Sequence, residues 1–261
     1  MILHVAADST CQFISVTDAL SSIPDSCTEE ILIYIHKGVY QEQISITHPR
    51  ITFIGDSPFD TVLSYGLYAG MKLDDGQKRG TFRTYSCFID TDDITFRSLT
   101  IANTAGPGPA AGQAIALYAD GDRLMFDGCR FLGNQDTLVT GPLPPKEIEP
   151  NGFAGPKQFA PRINGRHYYR NCYIEGDIDF IFGSATAYFE SCEFFSKNIG
   201  RPVNSYVTAA STPQGQAYGY VMKDCRFTGS CPPHSAYLGR PWREYAKTVL
   251  INCFMDQHIC P

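Results

Sequence analysis

The sequence lacks the motifs of the most familiar hydrolase and metal chemistries. Its 261 residues contain no G-x-S-x-G, so the serine elbow of the α/β-hydrolases is absent. They contain neither H-E-x-x-H nor C-x-x-C, which argues against a zinc centre, and none of the six histidines lies in a catalytic motif. We therefore predict that any catalysis by this chain uses no metal and no cofactor.

Long apolar runs and an excess of basic residues are missing as well. No stretch approaches the roughly 20 apolar residues of a membrane span. Lys and Arg number 21 against 27 Asp and Glu, giving a net charge of −6, whereas binding to nucleic acid needs a basic surface. We predict neither a membrane nor a nucleic-acid partner.

The N-terminal residues 1–8 have no basic start and no long apolar run, so no signal peptide is visible. This favours a cytoplasmic protein, or a secreted one whose leader has been removed.

The apolar residues, 43% of the chain, are ample for a core and fall into short runs. Residues 13–23 carry them at helical spacing, which predicts an N-terminal helix. The runs at 31–35, 43–46, 51–55 and 61–65 are rich in Ile, Val and Tyr and are separated by Gly, Pro or Asp, which predicts strands joined by turns. We expect one domain over residues 1–261.

Six later segments share one pattern: a large apolar residue, two small or polar residues, then Cys or Leu, any residue, and another large apolar residue. The fourth positions are Leu99, Cys129, Cys172, Cys192, Cys225 and Cys253. Irregular spacing of one repeated strand core is typical of a solenoid with loops of variable length. Cysteines at one position of successive coils would stack inward as small apolar residues. We therefore expect free thiols, which favour a reducing compartment.

Residues 141–166 interrupt this rhythm with six prolines. A loop this long in a compact domain is usually functional. Because it follows Asp136 closely, we expect it to form one wall of a cleft. Ile148, Phe153 and Phe159 argue against a disordered insert.

One carboxylate, Asp179, lies inside an apolar run, where an unpaired charge is costly. Taken alone, it could be a turn residue or half of a structural ion pair. Other stretches add a second carboxylate, two amides, an arginine and the only tryptophan: Asp136, Gln113, Gln135, Arg240 and Trp242. Together these groups can carry out acyl transfer without serine, histidine or metal.

Five stretches resemble, in order, the signatures of the pectin methylesterases: GVYQE (38–42), GQAIAL (112–117), GNQDTL (133–138), DFIFG (179–183) and LGRPW (238–242). The resemblance implies a single-domain right-handed parallel β-helix with an N-terminal capping helix. It implies hydrolysis of galacturonyl methyl esters in methyl-esterified homogalacturonan or its oligomers, by a monomer. A chain of net charge −6 would repel a fully ionised polyuronate but not an esterified one.

The residues and the resemblance suggest the same roles. We assign Asp179 as the nucleophile, kept ionised and oriented by Arg240, and Asp136 as the general acid and then base. Gln113 and Gln135 would donate hydrogen bonds to the oxyanion. By resemblance, Trp242 would stack on a sugar ring, Phe182 would line the methyl ester pocket, and Thr81 would contact the substrate. The GVYQE stretch would be structural, with a buried Tyr40.

Two features depart from the family pattern. Val139 stands where a Tyr is common, so a substrate-facing aromatic would be missing or replaced from the long loop. The chain ends at Pro261, which we expect to lie within a strand, so that the C-terminal end would be truncated or differently capped. The alternative functions are a non-catalytic polysaccharide-binding β-helix and an esterase for another esterified uronide. Asp90, Asp92 and Asp93 could suggest a calcium site, although a turn explains them better.

Overall fold

The short apolar runs form three parallel sheets in a computed structural model that describes residues 1–261. The first sheet has nine strands: β1 (Ile2–Val5), β2 (Ile31–Ile35), β5 (Ile51–Gly55), β8 (Ile94–Arg97), β11 (Leu124–Asp127), β14 (Arg166–Arg170), β17 (Thr186–Glu190), β20 (Tyr220–Lys223) and β23 (Thr248–Ile251). The second has eight: β3 (Gly38–Gln41), β6 (Thr61–Tyr65), β9 (Thr100–Asn103), β12 (Arg130–Leu132), β15 (Tyr173–Gly176), β18 (Glu193–Ser196), β21 (Arg226–Gly229) and β24 (Phe254–Met255). The third has seven: β4 (Ile44–Ile46), β7 (Cys87–Ile89), β10 (Leu117–Ala119), β13 (Leu138–Thr140), β16 (Ile178–Gly183), β19 (Ser205–Ala210) and β22 (Ala236–Gly239).

From β2 onward successive strands belong to different sheets, and each pairs in parallel with its counterpart in the next coil. The predicted parallel β-helix is therefore confirmed. The strands predicted at 31–35, 51–55 and 61–65 have the expected bounds, and the one predicted at 43–46 begins one residue later, at Ile44.

Two short α-helices accompany the strands, α1 (Val16–Ser21) and α2 (Gly108–Ala111), with a 3-10 turn at Thr81–Arg83. The predicted helix over 13–23 was too long. Ser15 has extended backbone and its side chain accepts a hydrogen bond from the Asp18 N–H, so the helix begins only after it. Helix α1 packs against β1 and β4 with Val16 and Ala19 buried, which makes it a small cap on the first coil.

The GVYQE stretch is structural, as predicted. The buried Tyr40 hydroxyl donates to the His36 carbonyl at 2.8 Å. The Glu42 carboxylate accepts from the backbone N–H groups of Val16 and Thr17, both at 2.8 Å. A carboxylate at a helix N-terminus satisfies donors that the helix itself leaves unpaired, so this stretch ties α1 to the first coil.

The repeated segments were predicted as strand cores, but their ladder residues lie at the turns between the first and second sheets. Leu99 and the cysteines at 129, 172, 192 and 225 are buried, while Cys253 in the last coil is half-buried. Each is preceded by a residue in the left-handed region, with φ from 50° to 63°: Ser98, Gly128, Asn171, Ser191, Asp224 and Asn252. Asn, Asp and Gly tolerate this conformation best, which explains the polar or small third position of the repeat. All ten cysteines are free thiols.

A single cluster of 46 buried apolar residues runs through the coils. Within it an aromatic column follows the first sheet, in which neighbouring rings stack with centroids 4.5 to 5.8 Å apart: Phe53, Phe96, Phe126, Tyr169 and Phe189.

The expectation that Pro261 lies within a strand was wrong. The last strand ends at Met255, and Ile259 makes only an isolated bridge with Ala236. No helix combines the length and apolar character needed to cross a membrane.

Candidate active site

One cleft of about 590 Å³ on the third sheet brings together all eight residues singled out in the sequence. They are Thr81, Gln113, Gln135, Asp136, Asp179, Phe182, Arg240 and Trp242.

Neighbouring coils supply the polar residues because each lies at or beside a strand of the third sheet, with β19 between the strands of Asp179 and Arg240. Gln113 precedes β10, Asp136 precedes β13, Asp179 lies in β16, and Arg240 follows β22. Backbone bonds hold these segments against each other, with the Asp136 N–H donating to Ile178 at 3.2 Å and the Arg240 N–H donating to Thr208 at 2.9 Å. Residues separated by more than a hundred positions in sequence therefore meet in one row.

Both carboxylates sit on strained backbone. Asp136 has φ of 66° and Asp179 has φ of 53°, in the left-handed region that Asp tolerates better than most residues. The pairing of β16 with β19 shifts register between Ile178 and Ile181, so Asp179 lies in a bulge. Bulges and left-handed residues are common beside functional sites because they re-aim a side chain out of the strand alternation.

Asp179 is paired with Arg240 through two parallel hydrogen bonds. Arg240 Nε donates to Oδ1 at 2.9 Å and Nη2 donates to Oδ2 at 2.6 Å. The guanidinium also lies over the ring of Tyr206, with its carbon 4.5 Å from the ring centroid. This fork fixes the orientation of the carboxylate as well as supplying a counter-charge.

Asp136 is in a different environment, with only 8% of its surface exposed. Burial, followed by the nearby charges of Asp179 and Asp177, raises its pKa well above the usual value, and Arg240 offsets only part of that effect. Two carboxyl groups in one cleft are thus held differently, one paired with a cation and one biased toward the protonated form.

The two glutamines leave their amide groups free. Neither the Gln113 nor the Gln135 side chain makes a hydrogen bond within the protein, although both line the cleft. An amide N–H directed into a partly dry cleft can donate to charge that develops on a bound molecule.

An aromatic cluster forms the apolar side of the cleft. Phe182 is buried and meets the half-buried Trp242 edge to face, with ring centroids 5.5 Å apart. Phe153 from the long loop meets Trp242 at 6.1 Å and Phe82 at 5.8 Å. Thr81 opens the 3-10 turn at the cleft edge.

The prediction that the loop over 141–166 forms a cleft wall is confirmed, since Ile148, Glu149, Gly152 and Phe153 line the cleft. Of the three apolar residues that argued for an ordered loop, only Phe153 is buried, whereas Ile148 and Phe159 are 71% and 91% exposed. Phe153 belongs to the same buried cluster as Val139, so the loop contributes an aromatic ring to the apolar side of the cleft.

Four further residues of the site were not predicted from the sequence: Glu149, Arg243, Asp177 and Tyr206. Glu149 and Arg243 line the cleft, Asp177 lies near Asp136, and Tyr206 supports Arg240. Arg243 and Asp177 adjoin motif residues, which was the one available signal. Nothing local marks Glu149 or Tyr206.

The aspartates at 90, 92 and 93 pair with cations of the protein. Asp90 accepts from Lys157 Nζ at 2.5 Å, and Asp93 accepts from Arg123 Nε at 2.5 Å. Asp93 has φ of 60°, as expected for a turn residue at the entry to a strand. The turn interpretation therefore accounts for this acidic stretch.

Known proteins share both this sequence pattern and this architecture. The family model described as pectinesterase matches residues 2–142 and 162–261. A probable pectinesterase/pectinesterase inhibitor of Arabidopsis thaliana is 34% identical, over 98% of this chain and 42% of its own length. Pectinesterase 31 of the same plant is 33% identical, over 98% of this chain and 74% of its own length.

Among solved structures, a pectin methylesterase in complex with a hexasaccharide superposes with a TM-score of 0.84 and 29% identity. That alignment covers 98% of this chain and 79% of the other. The chain thus spans less than half of one curated relative and about three quarters of another. Because the family model matches most of the chain, the chain belongs to the pectinesterase family.

Proposed function

We propose that this chain hydrolyses methyl esters of galacturonyl residues in pectin or in methylated oligogalacturonides, releasing methanol. The observation that carries the proposal is the unequal treatment of two carboxyl groups in one cleft. Asp179 is held by the Arg240 fork, while burial raises the pKa of Asp136 well above its usual range. Ester hydrolysis by a carboxylate needs one ionised and one protonated carboxyl group.

In the first step, an Asp179 oxygen attacks the ester carbonyl carbon. The developing oxyanion accepts hydrogen bonds from the Gln113 and Gln135 amides, and one such donor is worth roughly 3 kcal/mol. As the carbon–oxygen bond to the methoxy group breaks, Asp136 gives its proton to that oxygen and methanol leaves. The product of this step is an acyl-enzyme in which Asp179 is joined to the sugar carboxyl as an anhydride.

In the second step, Asp136 is a carboxylate and takes a proton from water. The resulting hydroxide attacks the acyl carbon, and Asp179 departs as a carboxylate to its place beside Arg240. Asp136 is protonated again, ready for the next cycle. The second product is the free galacturonic acid, which gives its proton to water and becomes galacturonate.

The aromatic cluster would hold the sugar. The indole face of Trp242 suits the C–H face of a pyranose, and Phe182 would line the place of the methyl group. Thr81 at the edge can donate or accept a hydrogen bond with a sugar hydroxyl. The hexasaccharide bound to a related pectin methylesterase supports an oligogalacturonide as ligand.

We further propose a monomer in a reducing compartment. The cleft takes all its polar residues from one chain, so the site needs no second copy. The ten free thiols, several of them stacked in the core, favour a compartment that keeps cysteine reduced.

The test is methanol release from highly methylated pectin and from short methylated oligogalacturonides. We expect release from at least one of them, and Asp179→Asn should abolish it because an amide is a poor nucleophile in a nearly identical shape. Binding of these sugars without methanol release would favour a polysaccharide-binding protein. Release only from other esterified uronides would favour the second alternative.

A further inference from the structure

The wall formed by residues 143–161 lies outside the family pattern, because the family model matches the chain on either side of it. Four residues of this segment nevertheless line the cleft: Ile148, Glu149, Gly152 and Phe153. Any contact between this segment and a substrate is therefore made by residues that the family model does not match.

An ion pair and hydrogen bonds anchor the segment to the protein on the side away from the cleft. Lys157 Nζ lies 2.5 Å from an Asp90 oxygen and 3.8 Å from an oxygen of the buried Asp120. The Arg162 guanidinium donates hydrogen bonds of 2.6 to 3.1 Å to four backbone carbonyls, those of Pro144, Lys157, Gln158 and Ala160. A guanidinium that satisfies four carbonyls ties the two ends of the segment together.

The segment is also fastened to the far side of the cleft. Arg243 Nη2 donates to the Lys146 carbonyl at 2.9 Å, and the buried Phe153 ring packs edge to face on Trp242. Within the segment itself, the Glu147 carboxylate accepts a hydrogen bond from the Asn151 N–H at 3.1 Å. Contacts on both sides make this segment a fixed wall.

Two side chains of the wall remain free at the rim. Ile148 is 71% exposed, and the exposed Glu149 carboxylate has neither a hydrogen bond nor an ion pair. Of the other carboxyl groups in the cleft, Asp179 is paired with Arg240 and Asp136 is buried, so Glu149 is the exposed, unpaired one. The Arg243 guanidinium is held by the carbonyls of Trp242 and Lys146.

Resting on the proposed function, we propose that Ile148 and Glu149 select a methyl-esterified sugar over an ionised galacturonate at the position beside them. A carboxylate placed there would meet the uncompensated charge of Glu149, whereas an ester is neutral and its methyl group can pack on Ile148. Each turnover creates a free carboxylate. The wall thus disfavours sites next to earlier products, and the enzyme acts at dispersed rather than contiguous positions.

The decisive variant is Glu149→Gln, assayed on fully methylated and on partially de-esterified oligogalacturonides of equal length. We expect the ratio of the two kcat/KM values to shift about fivefold toward the de-esterified substrate at low ionic strength. The shift should largely disappear near 1 M salt, where the Debye length is about 3 Å.

Glu244→Gln is the matched control. Glu244 is also exposed and makes no ion pair, but it lines a neighbouring groove rather than the cleft. Its substitution changes the net charge equally and should leave the ratio where it was. Ile148→Asn tests the apolar half and should lower kcat/KM on the fully methylated oligomer by about threefold.

Equal ratios for the wild type, Glu149→Gln and Glu244→Gln would overturn the inference while leaving methanol release, and so the proposed function, intact. If no variant released methanol, calorimetric binding of the same oligomers would decide. Tighter binding of the de-esterified oligomer by Glu149→Gln than by the wild type supports the selective wall, and unchanged binding overturns it.

Discussion

At the scale of single residues, the environment of each carboxyl group matters more than its identity. Asp136 and Asp179 are the same amino acid on similar left-handed backbone. One is held by a guanidinium fork and the other is buried beside two further carboxyl groups. Neighbours and burial therefore give two chemically identical groups the different environments that the proposed mechanism needs.

Arg240→Lys should not behave as a conservative change. Lysine keeps the positive charge but cannot make the two parallel bonds to Asp179 or lie flat over Tyr206. We expect a large fall in kcat with a smaller change in KM, because the lost contacts orient the attacking group.

Trp242→Ala is the comparison for Arg240, since it should mainly raise KM by removing a sugar contact. Steady-state kinetics on one methylated oligomer would separate the two effects. Matching profiles for Arg240→Lys and Trp242→Ala would mean that Arg240 only supports the Trp242 segment.

Asp136→Asn should stabilise the protein while impairing catalysis. The pKa of Asp136 is raised on folding, so the folded state favours the protonated form, and stability is lost as pH rises above the unfolded value of about 3.9. The variant removes this penalty and should therefore be more stable than the wild type at pH 7, but not near pH 3. Urea unfolding at the two pH values measures the difference.

Asp122→Asn is the control of opposite sign. Hydrogen bonding to Arg166 lowers the pKa of Asp122, so its contribution to stability is present at neutral pH and lost in acid. This variant should lose stability at pH 7. If both variants changed stability in the same direction, the assignment of opposite charge states would be wrong.

At the scale of elements, turns and strands place different side chains in the core. From Ser98 onward, the turns between the first and second sheets each begin with a left-handed residue, which is followed by the Cys or Leu of the ladder. The strands of the first sheet then stack one aromatic ring on the next. Position along the coil, rather than residue type alone, decides which side chains form a column.

Phe126→Leu tests the aromatic column. Phe126 is fully buried and stacks on Phe96 and Tyr169, so losing its ring should cost about 1 to 3 kcal/mol. Phe159→Ala should change stability by less than about 0.5 kcal/mol because Phe159 is almost entirely exposed. Equilibrium unfolding of both variants in denaturant measures the contrast, and comparable losses would mean that Phe159 packs onto the protein in solution.

At the scale of the whole molecule, one apolar core runs through the coils and a second cluster of nine buried residues lies beneath the cleft. The second cluster joins Phe82, Val139, Phe153 and Phe182. It therefore connects the long loop, the third sheet and the aromatic floor of the cleft. The stability of the cleft wall is tied to that of the solenoid.

The core thiols should report on the whole solenoid. Cys129 is buried, and burial raises the pKa of its thiol to about 12, while Cys11 and Cys260 are only partly buried. A thiol reagent at neutral pH should label the partly buried cysteines of the native protein, Cys253 included, and spare the buried ladder cysteines at 129, 172, 192 and 225. Ladder thiols should become reactive together as denaturant unfolds the chain, and early labelling of Cys129 or Cys192 alone would indicate local opening instead.

Much of this molecule follows from local signals in the sequence. Alternation of apolar residues and turn residues placed three strands at their observed bounds. The repeated pattern around Leu99 and the cysteines predicted that these side chains face the core, and all but Cys253 are buried. Their place at a turn between two strands, rather than in a strand core, came only from the structure. The helix was overestimated because a cap at Ser15 outweighed the apolar spacing on either side of it.

The sequence motifs predicted the residues of the cleft. Each motif combines a polar side chain with the end of a strand, and this combination can be recognised within a short segment. What only the tertiary structure decided is how those residues face one another: the Arg240 fork on Asp179, the burial of Asp136 and the Tyr206 ring beneath Arg240. The tertiary structure alone also decided that Glu149 lies at the rim of the cleft with an unpaired charge. Charge state and exposure depend on distances between coils far apart in sequence, and no local pattern encodes those distances.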